Sequence, residues 1–231
     1  IQRTIAACMT SFYGNAGQRC LANANLVVVG EGMTEQEHEA FYQEVVDAFT
    51  ESASRITIGY GLDESVQMGP LRDKPKRDRV IQYIEKGLEE GASLRLDGRE
   101  FEIIGDYPED CFLGPTVFED VTSEMTIAQE EIFGPVAMMM KAKSLDEAID
   151  MVHLNPFGNA ASIFTDSGRW AREFQYRCEC GNIGVNIGIA APMAFFPFSG
   201  MKDSFFGDLH GQGQDAIRFF TESKVVIQRW F

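Results

Sequence analysis

Apolar positions along the chain fall into two periods, and these divide it into alternating strands and helices. Asn25-Leu-Val-Val-Val29 is an almost wholly apolar, β-branched run closed by Gly30, the pattern of a strand buried on both faces. Thr34 and Glu37 then form a capping-box pair, and Phe41, Val45 and Phe49 recur at helical spacing, which predicts an amphipathic helix to about Ser54. A second helix is predicted over about Pro75–Glu90, with Val80, Ile84 and Leu88 on one stripe. Leu94–Leu96 reads as a short strand, and Asp97-Gly98 as a turn into Phe101–Ile104, the expected other arm of a hairpin. At the front, Ile1, Ile5, Cys8 and Phe12 share one helical face, so the chain is expected to open inside an element, as a piece of a longer protein.

The second half is more regular. Val136–Met140 is an apolar strand, and Ser144 with Glu147 caps a helix carrying Leu145, Ile149 and Val152 that Pro156 ends. Ala161–Phe164 is a strand, Ser167–Tyr176 a helix with Trp170 and Phe174, and Asn182–Val185 a further strand. Such a βαβαβ succession with short joins predicts a three-layer α/β fold: a mainly parallel, twisted sheet with helices on both faces. After Ile187 come a glycine- and aromatic-rich loop, a short helix near Asp215–Phe220, and an extended segment, Val225–Trp230.

Charge narrows the function classes. The 231 residues hold 35 Asp and Glu against 20 Lys and Arg, a net charge of −15, which disfavours nucleic acid and anionic membranes as partners. No stretch approaches the length of an apolar membrane span, and the first residues lack a basic leader with an apolar run. Cysteines at 8, 20, 111, 178 and 180 are odd in number and scattered, which reads as a reduced, cytoplasmic protein. Cys178-Glu-Cys180 is one residue short of a C-x-x-C pair and His38, His153 and His210 stand far apart, so no metal site is expected. Gly207–Gly213 lacks the G-x-G-x-x-G spacing of a phosphate-cradling turn.

The segment that best carries chemistry is Tyr13-Gly-Asn-Ala-Gly-Gln-Arg-Cys20, a polar, glycine-rich link between an apolar helix and an apolar strand. Arg19 beside Cys20 would favour a thiolate and hold an anionic group nearby. From the residues alone, Cys20 is either a nucleophile or a packing cysteine.

Four separated segments resemble the aldehyde dehydrogenase superfamily in the same order. They are Gly14-Asn-Ala-Gly-Gln-Arg-Cys20, Ala128-Gln-Glu-Glu-Ile-Phe-Gly-Pro-Val136, Asn155-Pro-Phe-Gly158 and Pro197-Phe-Ser-Gly-Met-Lys202. Arg19 ahead of Cys20, Phe195-Phe196-Pro-Phe-Ser-Gly200 and Ser204-Phe-Phe-Gly-Asp-Leu-His210 are similar to the CoA-acylating, methylmalonate-semialdehyde dehydrogenase branch. Met201, Asp203 and Gly188-Ile-Ala-Ala depart from its commonest residues.

The resemblance implies that Cys20 is the nucleophile and that Glu131 and Phe133 bind the nicotinamide side of NAD. Arg19, Phe195, Phe196 and Phe198 would contact a semialdehyde substrate, Lys202 would be positional, and coenzyme A would accept the acyl group. Residues 1–210 would form the catalytic domain, and 211–231 a tail whose strand serves a homo-oligomer, a dimer or tetramer. The cofactor's glycine-rich turn and an oxyanion-binding amide lie ahead of the cysteine motif in relatives, so the chain alone is expected to turn over little. A hydrolytic aldehyde dehydrogenase and a non-catalytic acidic domain are the competing readings.

Overall fold

The computed structural model describes residues 1–231. In chain order it holds α1 (Gln2–Tyr13), β1 (Asn25–Val29), α2 (Glu35–Ser54), β2 (Ile58–Gly59), α3 (Lys74–Glu89), β3 (Ser93–Leu96), β4 (Ile103–Ile104), β5 (Thr116–Glu119) and α4 (Thr126–Gln129). There follow β6 (Val136–Ala142), α5 (Leu145–Leu154), β7 (Phe157–Gly158), β8 (Ala160–Ile163), α6 (Gly168–Arg177), β9 (Asn182–Val185), β10 (Met201–Lys202) and α7 (Gly213–Phe219).

Helices begin where the sequence supplies a cap. At α2 the Thr34 hydroxyl accepts from the Glu37 N–H at 3.3 Å and the Glu37 carboxylate accepts from the Thr34 N–H at 2.8 Å, so two orphan donors are satisfied reciprocally. At the starts of α3, α5 and α6 the side chains of Asp73, Ser144 and Ser167 each accept from the backbone N–H three residues on.

The principal sheet has the order β1-β6-β5-β3, with β1, β6 and β5 parallel and β3 antiparallel at the edge. Val136–Met140 are all buried, as the continuous apolar run requires when both faces of a strand are covered. Helices α1 and α2 pack together through Phe12 and Phe49, whose rings meet edge-on at 5.3 Å, and the Tyr42 hydroxyl donates to the Met139 carbonyl. Helix α5 packs on β6 and β1. A hydrophobic cluster of 30 buried residues fills this part. A second cluster of only 5 residues, Leu145, Ile149, Phe174, Cys178 and Cys180, lies under the separate parallel pair β8–β9.

One expectation is corrected. Phe101–Ile104 is not the arm of a hairpin: Leu94 and Leu96 pair with Phe118 and Val117 of β5, while Ile103 and Ile104 join β2 in parallel. The Gly98 N–H and carbonyl bond to the Thr116 hydroxyl and the Gly114 N–H, which hands the turn on to a strand later in the chain. Strands β8 and β9 pair with each other apart from β6, whose neighbours are β1 and β5. The terminal segment pairs with no strand of this chain. Residues 221–231 have no regular structure, and Val225, Ile227 and Trp230 are 85%, 94% and 87% exposed.

Candidate active site

Chain leaving α1 passes through a left-handed turn. Asn15, Ala16 and Gly17 have φ of 54°, 52° and 70° in succession, a backbone that glycine adopts freely, asparagine tolerates and alanine resists. Local bonds hold it: Asn15 Nδ2 donates to the Gln18 carbonyl at 2.9 Å, and the Gln18 N–H donates to the Asn15 carbonyl at 3.0 Å. At its base Ala16 is buried and the Tyr13 hydroxyl donates to the Thr116 carbonyl at 3.1 Å; burial holds that phenol well above its ordinary pKa.

Cys20 is exposed beyond this anchored base. Its backbone N–H donates to no protein group, and its carbonyl accepts from Asn159 Nδ2 at 3.5 Å. The contrast with Cys8 is chemical: buried on α1, Cys8 has its thiol pushed up to about 11 by desolvation. Arg19 is half-buried and folds back over the helix end. Its Nη1 donates to the Thr10 carbonyl at 3.4 Å and lies against Gly14, so the guanidinium caps α1 rather than lining the space beside the thiol.

The four recognised segments converge here. A Cβ on Gly17 would stand 2.2 Å from the Gly134 carbonyl oxygen, so the cysteine loop and the Glu-Ile-Phe-Gly-Pro segment touch backbone to backbone. Asn155 Nδ2 reaches the carbonyls of Ala128 and Gln129 at 3.3 Å each, tying the third segment to the second. Lys202 Nζ donates to the carbonyls of Val152 at 2.9 Å and Asn155 at 2.8 Å, and β7 pairs antiparallel with β10, tying the fourth to the third. Across residues 1–226 the sequence matches the family described as the aldehyde dehydrogenase family. The chain belongs to that family.

Among relatives in this family, malonate-semialdehyde dehydrogenase 2 of Bacillus thuringiensis (strain Al Hakam) is 46% identical over 222 residues, covering 96% of this chain and 43% of that protein. Malonate-semialdehyde dehydrogenase 1 of Geobacillus kaustophilus (strain HTA426) is 41% identical over 230 residues, covering 100% and 45%. The crystal structure of methylmalonate-semialdehyde dehydrogenase (DddC) from Oceanimonas doudoroffii superposes with a TM-score of 0.92 at 34% identity, over 99% of this chain and 45% of that one. A putative methylmalonate-semialdehyde dehydrogenase from Sinorhizobium meliloti 1021, complexed with NAD, gives a TM-score of 0.91 at 37% identity, again over 99% and 45%. The chain thus spans less than half the length of these relatives.

A groove of about 840 Å³ opens beside Cys20, with Glu131, Asn155 and Asn159 on its wall. The Glu131 side chain is exposed and takes no ion pair or hydrogen bond, while its carbonyl accepts from Arg79. Phe133 is half-buried at a φ of 57°, and Lys76 Nζ stands over its ring, 5.3 Å from the centroid. Desolvation and the nearby Arg79 charge lower the Lys76 pKa.

Phe195 and Phe196 are 66% and 56% exposed with their rings 4.8 Å apart, Phe198 is half-buried, and none lines the groove. Sequence reasoning missed the amides that set the loop: Gln18, whose Oε1 accepts from the Arg72 N–H, and Asn23, whose Nδ2 reaches Ser11 Oγ and the Gly188 carbonyl. Asn159 was missed too. Each acts on a residue distant in sequence, and the one local signal was a run of amides around a cysteine.

Proposed function

We propose that this chain carries the nucleophile-bearing part of a cytoplasmic, NAD-dependent, CoA-acylating semialdehyde dehydrogenase acting on malonate or methylmalonate semialdehyde. The observation that carries this reading is the exposed Cys20 thiol on an anchored, left-handed loop in backbone contact with the second family segment, to which the third is tied and through it the fourth. Relatives at 41–46% identity bear the matching substrate name.

Cys20 as thiolate attacks the aldehyde carbon, forming a C–S bond and leaving the carbonyl oxygen as an oxyanion. The unengaged Cys20 N–H is a donor available to that oxygen. NAD, when bound, supplies the hydride acceptor, and Glu131 and Phe133 are the residues here that would hold its nicotinamide end. Loss of hydride from the former aldehyde carbon would leave the acyl group as a thioester on Cys20, and attack by the CoA thiolate, its proton lost to solvent, breaks that C–S bond, releases acyl-CoA and returns the Cys20 thiolate. Arg19 steadies the loop, and Phe195, Phe196 and Phe198 serve as substrate walls once the longer protein surrounds them. Residues 1–210 act as the catalytic body and 211–231 as an assembly tail in a homo-oligomer, a role that suits its exposed Val225, Ile227 and Trp230. Five free thiols suit a reducing compartment.

The test is an assay of the full-length protein with malonate-type and neutral aldehydes, with and without CoA, identifying the product. Acyl-CoA formation that needs CoA is expected. Free acid formed at a rate indifferent to CoA would overturn the acylating assignment.

A further inference from the structure

Two thiols that the proposed reaction does not use lie within one turn. Chain leaving α6 runs Cys178-Glu179-Cys180, and burial alternates along it: the cysteines are 6% and 4% exposed, while Glu179 is exposed. Both cysteines therefore face the same side, into the cluster of Leu145, Ile149 and Phe174. The Cys180 N–H donates to the Cys178 carbonyl at 3.0 Å, which closes a three-residue turn. Fully extended, residues two apart stand about 7 Å from each other. A disulfide spans roughly 4.4–6.8 Å between Cα atoms, and closing the turn draws the pair inside that span.

Neighbouring elements pin this turn. The Cys178 N–H donates to the Phe174 carbonyl and the Gly181 N–H to the Gly158 carbonyl, both at 2.9 Å. His153 of α5 places Nε2 3.1 Å from the Arg177 carbonyl oxygen and 3.3 Å from the Glu179 nitrogen. A Cβ on Gly158 would stand 2.8 Å from the Glu179 carbonyl oxygen and 3.0 Å from Lys202 Cε, so Lys202 packs beside the turn. An ammonium there favours a thiolate. The Cys178 thiol donates to Cys180, which holds the Cys180 thiol below its ordinary range and pushes Cys178 above it. No third metal-ligating side chain joins the pair, so its chemistry is that of two thiols.

We propose that Cys178 and Cys180 form a peroxide-sensitive dithiol that closes into a disulfide within the turn. This site stands independently of the dehydrogenase reading, which uses neither thiol. The Cys180 thiolate attacks one oxygen of hydrogen peroxide: an S–O bond forms, the O–O bond breaks, and hydroxide leaves and takes a proton from solvent. The Cys178 sulfur then attacks the Cys180 sulfur: an S–S bond forms, the S–O bond breaks, and the hydroxyl departs as water with the Cys178 proton. Two thiols lose two electrons, and one peroxide becomes two waters. A resolving thiol two residues away stops the oxidation at its reversible stage. Hydrogen peroxide has only two heavy atoms, a size that enters at a turn whose middle residue lies at the surface.

The test treats the reduced full-length protein with hydrogen peroxide, quenches in acid, then alkylates the unfolded chain with iodoacetamide and digests it with trypsin. Cleavage after Arg177 and Lys202 releases both thiols on one peptide, Cys178–Lys202, apart from Cys8, Cys20 and Cys111. That peptide is expected two hydrogens lighter and unalkylated, to regain both alkyl groups after dithiothreitol, and to lose its free thiols at least about 10-fold faster than Cys8 does. Full alkylation of the peptide when Cys20 is already oxidised overturns the proposal, as does sulfinic acid at either cysteine or a link to another peptide. In Cys178→Ser, dimedone should trap a sulfenic acid on Cys180, and in Cys180→Ser it should trap none on Cys178; the reverse pattern overturns the assigned order of attack. The wild-type measurement needs no substitution, so it decides the proposal even where a serine variant fails to fold.

Discussion

Two glycine-rich stretches, residues 14–23 around Cys20 and residues 188–220, look alike in composition and behave oppositely in the fold. In the first, every polar side chain that shapes the loop finds a partner within the chain: Asn15 on Gln18, Gln18 on Arg72, Asn23 on Ser11 and Gly188. Its Gly17 is there because the Gly134 carbonyl leaves no room for a Cβ. In the second, Phe206, Phe219 and Phe220 are 92%, 66% and 82% exposed, and a Cβ on Gly207 would meet nothing within 4 Å. Composition marks both as unusual backbone; only tertiary partners separate a finished site from a surface still awaiting a neighbour.

The sharpest way to break this comparison is at the thiol. In the full-length protein, Cys20→Ala is expected to cut aldehyde-dependent NAD reduction by a factor on the order of 10⁴ or more while leaving the denaturation midpoint in place, because an exposed side chain contributes little packing. Alkylation separates the thiols next. At pH 8 about one Cys8 side chain in a thousand is ionised, given a pKa of about 11, and it is buried, so iodoacetamide should label Cys20 first and Cys8 only after unfolding, as read by peptide mass spectrometry.

Gly17→Ala should destabilise the chain by about 2–4 kcal/mol in urea, because the new methyl meets backbone at a left-handed residue. Gly207→Ala, with the same sign of φ and open space around it, should lose only about 1 kcal/mol. Equal losses at the two positions would erase the distinction between the loops. Deleting Glu222–Phe231 should have the smallest effect, within about 0.5 kcal/mol on the isolated chain, since those residues are exposed and unpaired.

Much of the fold was legible because it is local. Thr34, Ser144 and Ser167 announce their helices through bonds spanning three residues, and the apolar run at Val136 announces a strand covered on both faces. Strand partners were not legible. Thr116–Glu119 is too short to show a period, yet it takes Leu94 and Leu96 away from the expected hairpin. At the site, Cys20 and the four segments could be named from their residues, but not what they touch. Arg19, adjacent to the thiol in sequence, turns to the Thr10 carbonyl, while Asn159, far away in sequence, reaches the Cys20 carbonyl. Phe195 and Phe196 are exposed and Phe198 half-buried, because hydrophobicity dictates that such residues seek cover, not that one chain supplies it.

The unequal division of the hydrophobic interior has a calorimetric consequence. A cluster of 5 residues beneath β8 and β9 offsets far less chain entropy than the cluster of 30 beside it, and no strand joins the two. The isolated chain should therefore melt in two steps, the β8–β9 body first, with a calorimetric enthalpy exceeding the van't Hoff value.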